Sequence, residues 1–198
     1  MYSIKEKEVT LTEINKSKFY GIIIPINNIE EIPNILNNIK NEYKDATHYC
    51  YAYILDNIKR FNDDGEPGGT AGMPILNVLE NNNLNHLLAV VVRYFGGIKL
   101  GAGGLVRAYT NSITNTLDKC KIIELIEGQL IKIEFSYDNI KQIDYLLKDY
   151  EIIEKEYNNN IMYKINIPIN SNIKQLLTKY INTYEIIRNI YIEKRLDN

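Results

Sequence analysis

The stretch "HLLAVVVRYFGGIKLGAGGLVRAY" (86–109) decides the fold of the first half of the chain. Leu87 to Val92 form an uninterrupted apolar run, which reads as a buried strand. Five glycines then fall within nine positions, at Gly96, Gly97, Gly101, Gly103 and Gly104. Glycine at such density is costly, because each one surrenders more conformational freedom on folding than any other residue. Beyond them "GGLVRAYTNSITNTLDKC" reads as a helix with Val106, Tyr109, Ile113, Leu117 and Cys120 on its inner face. A strand, a tight passage and a helix in succession place this region in a mixed α/β or α+β domain.

Upstream, two β-like segments, 2–12 and 18–26, precede a helix with apolar spacing at Ile32, Leu36, Ile39 and Tyr43. Pro33 falls in its first turn, where proline is tolerated. "YCYAYIL" (49–55) reads as a strand, "NDDGEPGGTAG" (62–72) as turn chemistry, and "MPILNVLE" as the start of a helix. Downstream, "QLIKIEFS" (129–136) alternates as a strand, and "NIKQIDYLLKDY" (139–150) has helical spacing. "EIIEKEY" and "IMYKINIP" flank the turn "NNN" (158–160) as a hairpin, followed by a helix in "NSNIKQLLTKY" and a strand in "YEIIRNIYIEKR". The order βαββαβ is ferredoxin-like. Two domains are therefore expected, 1–124 and 125–198, in an α+β chain of 198 residues.

Composition narrows the function classes. Hydrophobic residues make up 45% of the chain, enough for real cores, and the net charge is -2 with acids and bases balanced in both halves. No basic tail supplies a bulk grip on nucleic acid or an anionic membrane, so any such binding has to be local. The longest apolar run is far short of a membrane span, and the first ten residues lack a hydrophobic signal region, which points to a cytoplasmic protein without a membrane partner. Cys50 and Cys120, the only cysteines, form neither a disulfide framework nor a zinc pattern.

Several constellations are candidates for chemistry. Glycines between a strand and a helix start leave main-chain N–H groups facing an anion, helped by the helix dipole. The pattern here is neither a P-loop nor a dinucleotide fingerprint, and close packing alone also calls for glycine. Asp63, Asp64 and Glu66 offer carboxylates to a hard cation, but three acids in a turn are ordinarily solvated, and neither a metal nor a cofactor is expected. Gly69 lies in the same turn, and Thr70 reads as the cap of the following helix. Arg93, Lys99 and Arg107 lie in or beside the glycine passage and read as a small positive basin. Tyr49, Tyr51, Tyr94 and Tyr109 supply flat faces near it, and stacking beside local cations is how single-stranded nucleic acid is held. His48 next to Cys50 is a poor hydrolase pair, since the cysteine sits in a strand-like run as a small buried group.

Together, "KSKFYG", "ATHYCYAY", "DDGEPGGTAGMPIL" and "VVVRYFGGIKLGAGGLVRAY" resemble the successive motifs of the Impact family in its bacterial YigZ type. The resemblance runs over essentially the whole chain. It implies an N-terminal domain like domain 2 of ribosomal protein S5, with a left-handed βαβ crossover, and a C-terminal domain similar to the last domain of elongation factor G. It also implies a link to translation, because eukaryotic members regulate translation through a further domain absent from this sequence.

The expectation is a non-enzymatic binding protein that contacts RNA, the ribosome or a translation factor, with the C-terminal domain as a second contact surface. Its binding residues would be Asp63, Asp64, Glu66, Gly69, Thr70, Arg93, Tyr94, Gly96, Gly97, Lys99, Gly101, Gly103, Gly104 and Arg107. The alternative is a metal-assisted hydrolase acting on a phosphate-containing substrate. Both require the acidic bend near residue 65 and the bare main chain near residue 101 to line one open hollow. The oligomeric state is not readable from the sequence.

Overall fold

The computed structural model describes residues 1–194 and divides into two compact units, the first ending at Ile123 and the second starting at Glu124. The first unit contains β1 (Tyr2–Ile4), β2 (Glu8–Ile14), β3 (Ser17–Pro25), α1 (Ile32–Glu42), β4 (His48–Leu55), β5 (Ile58–Asn62), α2 (Gly72–Asn81), β6 (Leu87–Tyr94) and α3 (Gly101–Leu117). Five of its strands form a sheet in the order β2-β3-β6-β4-β5, with antiparallel neighbours throughout.

The central strand explains the unbroken apolar run. Side chains alternate across a strand. Leu87, Ala89 and Val91 therefore join the core under α2 and α3, while Leu88, Val90 and Val92 join the one under α1. Both faces are covered, which accounts for the apolar run from Leu87 to Val92; Arg93, the first charged residue of the strand, is still paired within the sheet. An Asn28–Glu31 capping box closes the 3-10 turn Ile29–Glu31 that leads into α1, and α1 itself carries a proline at its start.

α3 is rotated from its expected setting. Its buried residues are Leu105, Ala108, Tyr109, Ser112, Ile113 and Thr116, whereas Val106 is 37% exposed. The small residues of this face meet Gly21 of β3, where an added Cβ would fall 2.3 Å from Thr116 Oγ1 and 2.6 Å from the Ser112 carbonyl oxygen. Close contact with the sheet thus sets the rotation, and Leu105 takes the inward place that the sequence assigned to Val106.

The second unit is entered through β7 (Ile122–Phe135), which begins two residues before the boundary, and continues with α4 (Ile140–Leu146), β8 (Glu151–Tyr157), β9 (Ile161–Pro168), α5 (Ile173–Leu177) and β10 (Thr183–Glu193). The strands lie in the order β10-β7-β9-β8, all neighbours antiparallel. The element order is βαββαβ, with both helices shorter and β7 longer than the periodicity predicts. Ile131, Ile133, Phe135, Tyr163 and Ile165 face Ile143, Leu147, Ile173 and Leu177 in its core. Of the alternate residues, Lys132 pairs with Glu134 at 3.0 Å and Lys164 with Glu154 at 2.6 Å. No helix among the described residues is long and apolar enough to cross a membrane.

Candidate functional site

The turn after β5 is organised by its own carboxylates. Asp63 Oδ1 accepts the N–H groups of Ala71 at 3.0 Å and Gly72 at 2.8 Å, and its Oδ2 accepts that of Gly69 at 2.9 Å. These donors lie at the start of α2, so Asp63 supplies the anion that a helix N-terminus attracts. Thr70 does not cap α2, contrary to expectation; its hydroxyl donates to the Pro67 carbonyl at 2.6 Å. Asp64 adopts φ 43° and accepts the Tyr49 N–H on Oδ2 at 2.7 Å. Gly65 (φ 84°) and Gly69 (φ 75°) supply the left-handed geometry of this bend.

Glu66 turns inward and is buried. Its Oε1 accepts Arg93 Nη1 at 2.5 Å and the Tyr109 hydroxyl at 2.8 Å, while His48 Nε2 stands 3.9 Å away. His48 Nδ1 lies 2.7 Å from the Asp64 carbonyl, which accepts a hydrogen bond from it and leaves Nε2 turned toward Glu66. The Arg93 guanidinium is flanked by two rings, 5.3 Å from the centroid of Phe19 and 5.4 Å from that of Phe95. Cys50 Sγ lies 2.9 Å from the Asp63 carbonyl and 3.4 Å from Tyr109 Oη, with one proton to serve both. Burial pushes the Cys50 thiol up to about 12 and raises Tyr109 well above the usual phenol range. Neither group is an activated nucleophile.

The carboxylates of the acidic bend, which the hydrolase alternative would give to a cation, have partners within the protein: Asp63 is engaged by three main-chain N–H groups, Asp64 by another, and Glu66 by Arg93 and Tyr109. Among the described residues no group of three or more metal-ligating side chains converges. Arg93 does not join a surface basin either, because it is only 5% exposed and its charge is matched by Glu66. Buried Glu66, Arg93, Tyr109 and Cys50 join the bend to the end of β6 and to α3, so side chains rather than a hollow lie at that junction. A cavity of about 800 Å³ lies instead within the second unit, beside Tyr150, Asn166 and Ser171.

The glycines of the passage divide by role. At Gly96 an added Cβ would fall 2.1 Å from the Lys16 carbonyl carbon, so the strand exit crosses the β2–β3 turn at main-chain contact. The Gly96 N–H also donates to Ser17 Oγ at 3.1 Å. Gly104 is close to Leu100, with 3.0 Å between an added Cβ and the leucine Cβ. Gly97 (φ 84°) and Gly101 (φ 69°) face open space, and only the Arg107 guanidinium comes within 4 Å of a Cβ at Gly103, at 3.9 Å. α3 starts at Gly101, with Leu100 at the N-cap position giving no side-chain cap and with no acid in its first turn. Lys99 and Arg107 are exposed and, among the described residues, have no ion-pair or hydrogen-bond partner.

The expected stacking residues are not beside these cations. Tyr49, Tyr51 and Tyr94 pack against the α1 core, across the sheet from Glu66, and the Tyr94 hydroxyl donates to the Lys44 carbonyl at 3.0 Å. Tyr109 is fully buried. The exposed ring at the passage is Phe95, at 45%, which a search for tyrosine overlooks; the alternation of "VRYF" was the signal, since it turns Tyr94 away from the face of Arg93 and Phe95.

Known proteins resemble this chain over most of its length. The Impact N-terminal domain family matches residues 15–117. IMPACT family member YvyE of Bacillus subtilis (strain 168) is 36% identical over 168 residues, which cover 82% of this chain and 77% of that protein. IMPACT family member YigZ of Escherichia coli (strain K12) is 32% identical, covering 79% and 80%. A crystal structure of a hypothetical protein superposes with a TM-score of 0.65 at 27% identity, over 98% of each chain. With a domain match over more than half its residues and relatives aligned over most of their length, the chain belongs to the IMPACT family.

Proposed function

We propose that this chain is a binding protein acting in the regulation of translation, and that the exposed start of α3 with the preceding glycine passage is its contact surface for RNA. Membership of a family whose eukaryotic members regulate translation supports the first part. One observation carries the second: a 17-residue helix begins with no side-chain cap and no acid in its first turn, with bare glycine main chain and two unpaired cations, Lys99 and Arg107, beside it. Main-chain donors, a positive dipole end and local cations together fit a phosphate. The net charge of -2 agrees with a grip that is local.

On this reading the two motif clusters divide the work. Lys99, Gly97, Gly101, Gly103, Gly104 and Arg107 face the ligand. Asp63, Asp64, Glu66, Gly69, Thr70, Arg93, Tyr94 and Gly96 shape and brace the surface from beneath or beside it. The test is a salt titration of RNA affinity in Lys99→Ala with Arg107→Ala. Loss of two phosphate contacts lowers the slope of log K against log salt by about 1.4 for a single strand. A double variant that matches the wild type at every salt concentration overturns the assignment.

A further inference from the structure

We infer that the outer edge of β10 is a self-association surface, on which a second copy of this chain pairs antiparallel, edge to edge. The inference concerns the second unit alone and is independent of the RNA-contact reading above. β10 pairs with β7 on one side, and among the described residues no strand lies on its other side. An edge strand keeps alternate N–H and C=O groups unpaired, and proteins ordinarily blunt such an edge with charge. The opposite edge, β8, is charged in this way, and its charges are engaged within the unit. Its Glu154 pairs with Lys164 at 2.6 Å, its Lys155 with Asp144 at 3.2 Å, and its Glu151 accepts from Asn166 at 3.0 Å. β10 instead exposes five consecutive residues, Glu185 to Asn189, with Ile186 and Ile187 47% and 42% open. Among the described residues the side chains of Glu185 and Arg188 make no ion pair or hydrogen bond, and Lys132 beside Glu185 is taken by Glu134.

Charge and register select a second copy as the occupant. In a regular strand, residues three apart point to opposite faces. Between Ile186 and Arg188 the register with β7 shifts, so that Glu185 stands opposite Lys132 and Arg188 opposite Leu130. Lys132 and Leu130 share a face of β7, and the bulge therefore puts Glu185 and Arg188 on that one face. A two-fold axis between Ile186 and Ile187 then sets each copy's Glu185 opposite the other's Arg188, twice. The same register sets Ile186 against Ile187, and Tyr184 against Asn189 on the other face. Pairings centred on Glu185 or on Arg188 set like charges opposite each other, which is unfavourable. A two-fold contact of this kind uses the same patch on both copies and closes as a dimer.

The test is sedimentation equilibrium of the full chain over a concentration series, with urea melts to check the fold of each variant. Wild type is expected to associate reversibly to a dimer. Arg188→Glu and Glu185→Arg each set like charges at both contacts, and each is expected to weaken the dimer about tenfold or more. Mixed one to one, the two variants again oppose acid to base at both contacts, so a heterodimer of wild-type affinity is expected. A loss caused by misfolding is not repaired by mixing, which separates the contact from a structural effect. A wild type that stays monomeric overturns the inference, as does a single variant that dimerises like wild type. A mixture no more associated than its components, or open-ended growth beyond the dimer, overturns it as well.

Discussion

Glu66 and Arg93 close an ion pair of 2.5 Å whose side chains are 3% and 6% exposed. It joins the acidic bend to the end of β6 beneath the glycine passage, and the Tyr109 hydroxyl ties the same carboxylate oxygen to α3. Three segments that are separate in sequence therefore share one acceptor. A buried pair of this kind is weak evidence of net stabilisation, because desolvation offsets much of the attraction, but removing one partner leaves the other charge stranded.

Glu66→Gln should therefore destabilise the protein by about 3–5 kcal/mol, read as a lower urea midpoint. Combining it with Arg93→Met should recover a substantial part of that loss, since the stranded cation is then gone. A single variant that unfolds at the wild-type urea concentration would show that the pair does not hold the three segments together.

Asp63 is the second bracing residue. Its carboxylate accepts three N–H groups around the start of α2, and no other side chain caps that helix. Asp63→Ala should cost about 1–2 kcal/mol. Asp63→Asn should cost less, because the amide oxygen can serve at most two of the three donors. Thr70→Ala should be milder than Asp63→Ala, and the reverse ranking in urea melts would restore Thr70 as the cap.

Much of the fold was legible because it rests on periodicity. The six apolar residues Leu87 to Val92, the turn at 158–160 and the βαββαβ order follow from period and turn chemistry alone. What escaped depends on partners distant in sequence. Arg93 reads as a free cation until Glu66, 27 residues away, is placed beside it. Thr70 has the right chemistry for a cap, but an aspartate upstream reaches the same donors first. Nor can a glycine announce its purpose: Gly96 is required by contact with Lys16, whereas Gly97 and Gly101 face open space in left-handed geometry. Strand parity could have separated Tyr94 from Arg93, since adjacent residues point to opposite faces.

Alkaline pH should weaken the first unit. Burial raises the Cys50 thiol from 9.0 to about 12 and the Tyr43 phenol from 10.0 to about 12, and raises Tyr109 as well. In the window between the ordinary and raised values the folded state holds protons that the unfolded chain releases, so stability falls as pH rises. The urea midpoint should be insensitive to these groups below about pH 9 and decline above it. Tyrosinate absorbance from Tyr109 should appear only as the protein unfolds. In parallel, iodoacetamide at pH 8 should leave native Cys50 unmodified and label it in urea. A midpoint that holds constant to pH 11, or ready labelling of native Cys50, contradicts the buried arrangement.

The sharpest separation between packing and binding comes from two glycines seven residues apart. Gly96→Ala forces a Cβ to 2.1 Å from the Lys16 carbonyl carbon, so the strand exit or the hairpin turn has to move. It should destabilise the protein by more than about 2 kcal/mol and reduce RNA binding as a consequence. Gly103 lies inside α3, where only the movable end of the Arg107 side chain comes within 4 Å of an added Cβ. Gly103→Ala should leave stability unchanged or raise it by up to about 1 kcal/mol through helix propensity. If the bare main chain there is kept for a ligand, RNA affinity should nevertheless fall, because the methyl group occupies the space into which a phosphate comes. A stabilised Gly103→Ala protein with undiminished RNA affinity would mean that the glycine serves no ligand, and would remove the start of α3 from the contact surface.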